Sequence, residues 1–347
     1  MINPIVRVLV ALVFWLVISA AGSSFYAWHW LNAEVKITVE DKLFTVPSGS
    51  NLHRVADSLQ DLNLLRWPKV WLGYAKYFDT ELIKAGEYQL NAHESPLSLL
   101  RRFQAGKVIQ YSVALIEGYT LNQALAEIHA RNNIQKKLSL PLDLSVDSID
   151  GIDVAHLEGW IYPDTYNFSA NDSDVSIISR AHSKMQKVLS EEWDSREKGL
   201  PYQNAYEALI MASIIEKETG AASERAQIAG VFVRRLQKKM RLQTDPTVIY
   251  GMGDLYDGNI RRADLKRPTA YNTYVIKGLP PTPIALPGRD AIHAALHPKK
   301  GDSLYFVARG DGTHVFSATI EEHNAAVRKF QKRRVKNYRS NPAPSKK

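Results

Sequence analysis

Tyr206-Glu207-Ala208-Leu209-Ile210-Met211-Ala212-Ser213-Ile214-Ile215-Glu216-Lys217-Glu218-Thr219 reads as a helix, with Gly220 as its stop signal. At about 100° per residue, Met211, Ile214 and Ile215 share one apolar stripe, and Glu218 falls near its centre. Glu216 points to roughly the opposite side. Glu207 also lies near the stripe, so helical phase does not single out Glu218. A charged carboxylate on a core-facing stripe is costly unless it is paired or keeps its proton. Burial raises a carboxyl pKa, and a Glu protonated near neutral pH is what a general acid requires. The bland reading is a fraying helix end, where Glu218 turns to solvent or pairs with Arg225 or Lys217.

Working outward, a helix through Ile177 to Leu189 precedes this segment and another, Ala226 to Met240, follows it. Then come Gln243-Thr244-Asp245-Pro246-Thr247-Val248-Ile249-Tyr250-Gly251, Thr269-Ala270-Tyr271-Asn272-Thr273-Tyr274 and a Pro-rich turn from Gly278 to Pro283. A helix at Arg289 to Leu296 and strands at Leu304 to Val307 and His314 to Phe316 close a region of mixed α+β character, residues 111–335. Residues 31–110 read as a smaller α+β module. Val35 to Val46 alternates like strand material, Pro47 to Asn51 is a turn with helix-cap chemistry, and Leu52, Val55, Ala56 and Leu59 mark a helix. Lys84 to Tyr88 and Pro96 to Phe103 suggest another strand and helix. Val46-Pro47-Ser48-Gly49-Ser50-Asn51-Leu52 is echoed by Leu115-Ile116-Glu117-Gly118-Tyr119-Thr120-Leu121: strand, glycine turn, helix.

The N-terminus is apolar. Pro4 to Trp30 carries one charge, Arg7, and the run from Val8 to Gly22 continues into Phe25-Tyr26-Ala27-Trp28. That length spans a bilayer, with aromatics as an interfacial belt. A cleaved signal peptide is the rival, since Ser19-Ala20-Ala21 offers small residues, but the apolar stretch runs past them. A retained anchor over residues 1–30, N-terminus inside, is therefore expected. ATP-dependent and nucleic-acid functions are disfavoured beyond the membrane.

Net charge is 44 − 36 = +8 over 347 residues, yet nine Lys/Arg and no acid lie between His323 and Lys347. The basic balance belongs to a C-terminal tail, expected to be flexible over residues 336–347, and not to a nucleic-acid-binding domain. With no Cys there is no disulfide, thiolate metal site or Cys nucleophile. The chain has no nucleotide-binding glycine loop, no His-Glu-x-x-His and no Gly-x-Ser-x-Gly elbow. His293 and His297 sit four apart on a helix, but without a third ligand they read as surface histidines, so no metal and no cofactor is expected. Ser213 reads as a small packing residue.

What remains is a carboxylate among aromatics, amides and hydroxyls: Trp160, Tyr162, Tyr166, Tyr250, Tyr271 and Tyr274, with Gln243, Thr244, Asp245, Asn272 and Thr273. Such sets suit sugars, which present apolar CH faces and many hydroxyls. These segments resemble a known family. Ala212 to Thr219, Arg241 to Gly251, Ala270 to Tyr274 and Gly278-Leu279-Pro280-Pro281, in that order, closely resemble the YceG-like (MltG) endolytic murein transglycosylases. The Glu158-Gly159 to Tyr166 segment, the Gly49 and Gly118 turns and the single anchor fit as well.

The resemblance implies a bacterial inner-membrane protein with its N-terminus in the cytoplasm, a LysM-like module over residues 31–110 and a periplasmic α+β catalytic domain over residues 111–335. It implies cleavage of MurNAc–GlcNAc bonds inside peptidoglycan strands, giving 1,6-anhydro-MurNAc ends and terminating nascent strands, with cell-wall synthases as partners. Glu218 occupies the family's catalytic position. Gln243, Thr244, Asp245, Tyr271, Asn272 and Thr273 are the expected substrate contacts. One carboxylate can serve as acid and then as base. A hydrolase normally needs a second, for which Asp245 and Asp164 are candidates. A scaffold that recruits synthases without catalysis is the third reading.

Overall fold

A computed structural model describes residues 4–37, 42–78, 81–142, 149 and 152–331. The basic tail, and the middle of the expected strand from Val35 to Val46, lie outside the described residues. The chain is a mixed α+β protein that divides into two units, residues 1–111 with 167–172, and residues 112–166 with 173–347.

The first unit begins with α1 (Pro4–Asn32), a helix of 29 residues, long and apolar enough to cross a membrane. Its side chains are exposed through Tyr26; Ala27 and Trp30 are half-buried and Leu31 is buried. Two antiparallel pairs follow: β1 (Val35–Lys36) with β4 (His93–Glu94), and β2 (Lys42–Val46) with β3 (Gly86–Leu90), in which Phe44 faces Tyr88. Between β2 and β3 lie α2 (Leu52–Asp61) and α3 (Pro68–Tyr77), and α4 (Pro96–Ala105) follows β4. Asn51 caps α2 through the Arg54 N–H, and Ser95 and Ser98 form a reciprocal capping box on α4. The sequence reading overlooked α3, because only Trp71 and Ala75 of that helix are buried. Trp71, Leu59, Tyr88, Leu99 and Phe103 form the core, and the Trp71 indole donates to the Pro96 carbonyl at 2.7 Å.

In the second unit the chain runs through β5 (Tyr111–Ala114), the Gly118 turn and α5 (Leu121–His129), repeating the strand, glycine and helix order of β2, Gly49 and α2. Strand β6 (Thr165–Phe168) pairs with β5. Next come α6 (Asp174–Asp194), α7 (Ala205–Glu218), α8 (Arg225–Gln237) and α9 (Asp245–Met252), then α10 (Arg289–Leu296), the hairpin β7 (Tyr305–Ala308) and β8 (His314–Ser317), and α11 (Ile320–Phe330). Helix α7 is the central element, packed by α6, α8, α9 and α10. Every residue from Ala208 to Ile215 is buried. The expected single stripe is therefore too narrow a description: neighbours enclose the helix, and its sequence is apolar on all sides accordingly. Ser213 is accommodated because its hydroxyl donates to the Ile210 carbonyl and accepts from the Ile284 N–H at 3.0 Å.

Candidate active site

Two glutamates at the end of α7 have different surroundings. Glu216, on the opposite side of the helix from the apolar stripe, is nonetheless enclosed: its side chain is 6% exposed. It accepts from the Gly288 N–H at 3.0 Å and from Arg225 at 3.2 Å. Arg225 also meets Asp290 at 3.1 Å and Glu117 at 3.6 Å, so Glu216 belongs to a charge-paired cluster. Lys217 donates to the Gly118 carbonyl. Neither cation pairs with Glu218, so the ion-pair alternative for that residue does not hold.

Glu218 is the last residue of α7 and is partly exposed. The Thr244 hydroxyl donates to its carboxylate, and among the described residues no cation forms an ion pair with it. Burial pushes the carboxyl up from an ordinary 4.5 to about 7; the Thr244 hydrogen bond opposes this, nearby Asp245 adds to it, and Arg235 opposes it weakly. Arg235 is kept at a distance by its other bonds. Its guanidinium donates to the Leu304 carbonyl at 2.6 Å, the Leu242 carbonyl at 2.8 Å and the Gln243 side chain at 3.3 Å, and lies over the Tyr305 ring.

The residues expected beside Glu218 fall into two sets. Gln243 and Asp245 are exposed at the start of α9, and Gln243 adopts a positive φ of 54°. Tyr274 donates to Asp245 at 2.6 Å. Thr244, Asn272 and Thr273 are buried and hold two chain segments together. The Thr273 hydroxyl accepts from the Thr244 N–H at 3.0 Å and meets the Thr247 hydroxyl at 2.8 Å. Asn272 donates to the Asp264 and Arg267 carbonyls. Tyr271 is half-buried, with its hydroxyl 2.9 Å from that of Thr282. Thr244 thus meets the carboxylate, while Asn272 and Thr273 act through the backbone that positions it.

Sequence reasoning quoted Glu158 only as part of a motif. The structure makes it a second buried carboxyl, 3% exposed. It accepts from the Leu121 N–H at the start of α5 (2.9 Å) and from the Tyr250 hydroxyl of α9 (3.1 Å). Burial pushes it to about 7 against those hydrogen bonds, that of Gly159, and the field of Lys217. Tyr250 in turn lies 4.9 Å from Tyr271, centroid to centroid. The chain offers one local signal, a glycine directly after the carboxyl: Gly159 has φ +80°, and a Cβ there would lie 2.4 Å from Pro283.

Glu218 thus ends α7 beside the Thr244-Asp245 turn, partly exposed and with no ion-pair partner among the described residues. The model of the YceG-like family matches residues 44–329. This chain belongs to the YceG-like family. An endolytic murein transglycosylase of Bacillus subtilis (strain 168) is 33% identical over 302 residues, covering 82% of this chain and 83% of that protein. One of Streptococcus pneumoniae serotype 2 is 28% identical over 354 residues, covering 91% of this chain, which spans 63% of that longer relative. Among solved structures, a YceG-like protein of Listeria monocytogenes is 32% identical with a TM-score of 0.53, over 82% of this chain and 99% of the other.

Two further expectations are revised within the YceG-like fold. Asp164, one candidate for a second catalytic carboxylate, is ion-paired with Lys184, which holds it below the usual carboxylate range. His293 and His297 do have a third neighbour capable of ligating a metal, Glu192 of α6, which sequence spacing could not place there. Glu192 is already bonded to His293 Nδ1 at 2.8 Å and to Arg289 at 3.1 Å.

Proposed function

We propose that this YceG-like protein does what the names of its relatives state: it is an endolytic murein transglycosylase, a lyase acting on peptidoglycan. Glu218 is its acid and base in turn. Protonated Glu218 gives its proton to the glycosidic oxygen as the MurNAc–GlcNAc bond breaks through an oxocarbenium-like state. The carboxylate then takes the proton of the muramic acid 6-hydroxyl, whose oxygen closes on the anomeric carbon. A 1,6-anhydro end forms, no water is consumed, and Glu218 is protonated again. The observation that carries this reading is a helix-end carboxyl held by the Thr244 hydroxyl with no ion-paired cation among the described residues, a setting in which burial raises it to about 7. A group with that pKa can hold a proton and can also accept one at neutral pH.

Thr244 orients the carboxylate, and the exposed Gln243 and Asp245, with half-buried Tyr271, are available for substrate contact. Asn272 and Thr273 keep the turn in place. A hydrolase reading would assign water activation to Asp245, which accepts a hydrogen bond from Tyr274. Helix α1 is a retained anchor, N-terminus in the cytoplasm, that holds the second unit in the periplasm beside nascent strands and their synthases. Residues 31–110 form a LysM-like module; the β2-α2-α3-β3 order, two helices between two antiparallel strands, supports this.

The test is mass spectrometry of glycan products from the full chain and from Glu218→Gln. Internal fragments ending in 1,6-anhydro-MurNAc, absent with the variant, are expected. Hydrated reducing ends would move the reaction to hydrolysis. No cleavage of nascent or mature strands by either protein would favour a recruiting scaffold.

A further inference from the structure

The first unit has a pocket of about 370 Å³ lined by Asn32, Glu94, Ser98, Arg101, Arg102 and Lys107, among others. It runs along one side of α4 and reaches the end of α1. Its charge is unbalanced. Glu94 is buried and is neutralised by Arg102, and the Ser98 hydroxyl donates to the same carboxylate at 2.5 Å. Arg101 and Lys107 are exposed and, among the described residues, no acid pairs with either. Arg102 keeps its Nε–H buried without a partner. Among the described lining residues, two unpaired cations thus stand beside a single carboxylate, Glu94, which Arg102 already neutralises.

The position of the pocket along α1 defines its surroundings. The stretch Val8 to Trp28 rises about 31 Å at 1.5 Å per residue, which matches a hydrocarbon core of about 30 Å. Asn32 lies about 6 Å further on, inside a headgroup layer roughly 5–7 Å thick. The unit is fixed at that depth: the Trp67 ring lies 5.4 Å from Tyr26 and 5.1 Å from Trp30, both on α1. Arg66 lies over the Trp67 ring at 5.4 Å. Tyr and Trp at one level are what a membrane interface selects.

We propose that this pocket binds the phosphate of an anionic membrane lipid, with Arg101 and Lys107 as the charged ligands. The inference rests on α1 being a membrane anchor. Bound lipid would fix the unit's height over the bilayer at the place where the chain leaves it.

The test uses the full-length protein in phosphatidylcholine nanodiscs doped with phosphatidylglycerol, and counts retained lipids by native mass spectrometry. Phosphatidylglycerol should be retained preferentially, by about fivefold for each of the two cations, and the preference should collapse in the Arg101→Gln/Lys107→Gln double variant. Both side chains are exposed, so the variant's melting temperature should match the parent's. Equal retention of the two lipids, or a preference that survives in the variant, overturns the proposal. Displacement of the lipid by millimolar inorganic phosphate would assign the pocket to a free anion and overturn the lipid as its source. Flotation with neutral phosphatidylcholine vesicles is measured alongside. Proteins that float without lipid preference refute only the pocket, whereas proteins that do not float refute the anchor itself.

Discussion

Glu218 and Thr244 set opposing contributions to one proton equilibrium. Burial raises the carboxyl to about 7, and the Thr244 hydroxyl, which bonds the charged form, pulls it down. If the protonated acid breaks the glycosidic bond, kcat/KM falls as pH rises through about 7. Thr244→Val removes a hydrogen bond worth about 1 kcal/mol, so this descending limb moves up by about 0.7 pH unit while kcat falls. A pH–rate profile of the two proteins checks both shifts, and a limb that stays in place or moves down refutes the assignment. Stability has its own sign. With the folded pKa above the unfolded 4.5, the native state holds a proton that the unfolded chain has lost between pH 4.5 and about 7, so stability is full below 4.5 and declines across that window. Glu218→Gln carries no such penalty. It should melt higher than the parent at pH 8, by the equivalent of at most about 3 kcal/mol, with the difference shrinking towards pH 4.5. Calorimetry at the two pH values decides this.

Among the elements, α7 and the turn after Gly159 differ most in how far the sequence exposed them. The length and terminus of α7 are local properties, and the motif that ends in Glu218 is continuous, so both were legible. The burial of Glu216 was not, because helical phase gives the side a residue points to and not what covers that side. Here Arg225 and the Gly288 N–H occupy it. Glu158 was hidden for a similar reason: its burial depends on Leu121 and Tyr250, 37 and 92 residues away in the chain. These contacts yield two expectations. Arg225→Ala leaves Glu216 buried without its cation, and should cost about 3 kcal/mol in denaturant unfolding of the full chain; a cost below about 1 kcal/mol would mean that Gly288 alone satisfies the carboxylate. Gly159→Ala requires a positive φ from alanine and drives its Cβ against Pro283. It should lower both stability and activity, whereas Glu158→Gln, which keeps an acceptor for the Leu121 N–H, should retain most of the stability. Equal losses from the two changes would show that Glu158 is needed charged.

For the molecule as a whole, the end of α1 joins an apolar helix to the core of the first unit. The sequence places a boundary near residue 30, where apolar character ends. The helix continues to Asn32, and its last turn enters the first unit: Leu31 is 3% exposed within the core that holds Trp71 and Phe103, and Trp30 packs against that core and lies beside Trp67. The apolar helix and the core of the first unit therefore share residues, and where the chain is cut decides whether that unit keeps its core. A chain truncated to begin at Ala33 loses Leu31 and Trp30; one that begins at His29 keeps both. Burying a Leu side chain contributes about 2 kcal/mol, so the shorter chain should unfold at lower denaturant by at least that amount, with the loss confined to the first unit. In chains that also carry Trp160→Phe and Trp193→Phe, the fluorescence of Trp71 and Trp67 reports on the first unit, and far-ultraviolet circular dichroism follows both units together. If α1 ended functionally at residue 30, both truncated chains would unfold at the same midpoint. If its last turn is part of the module, the fluorescence transition shifts ahead of the dichroism transition only in the chain that begins at Ala33.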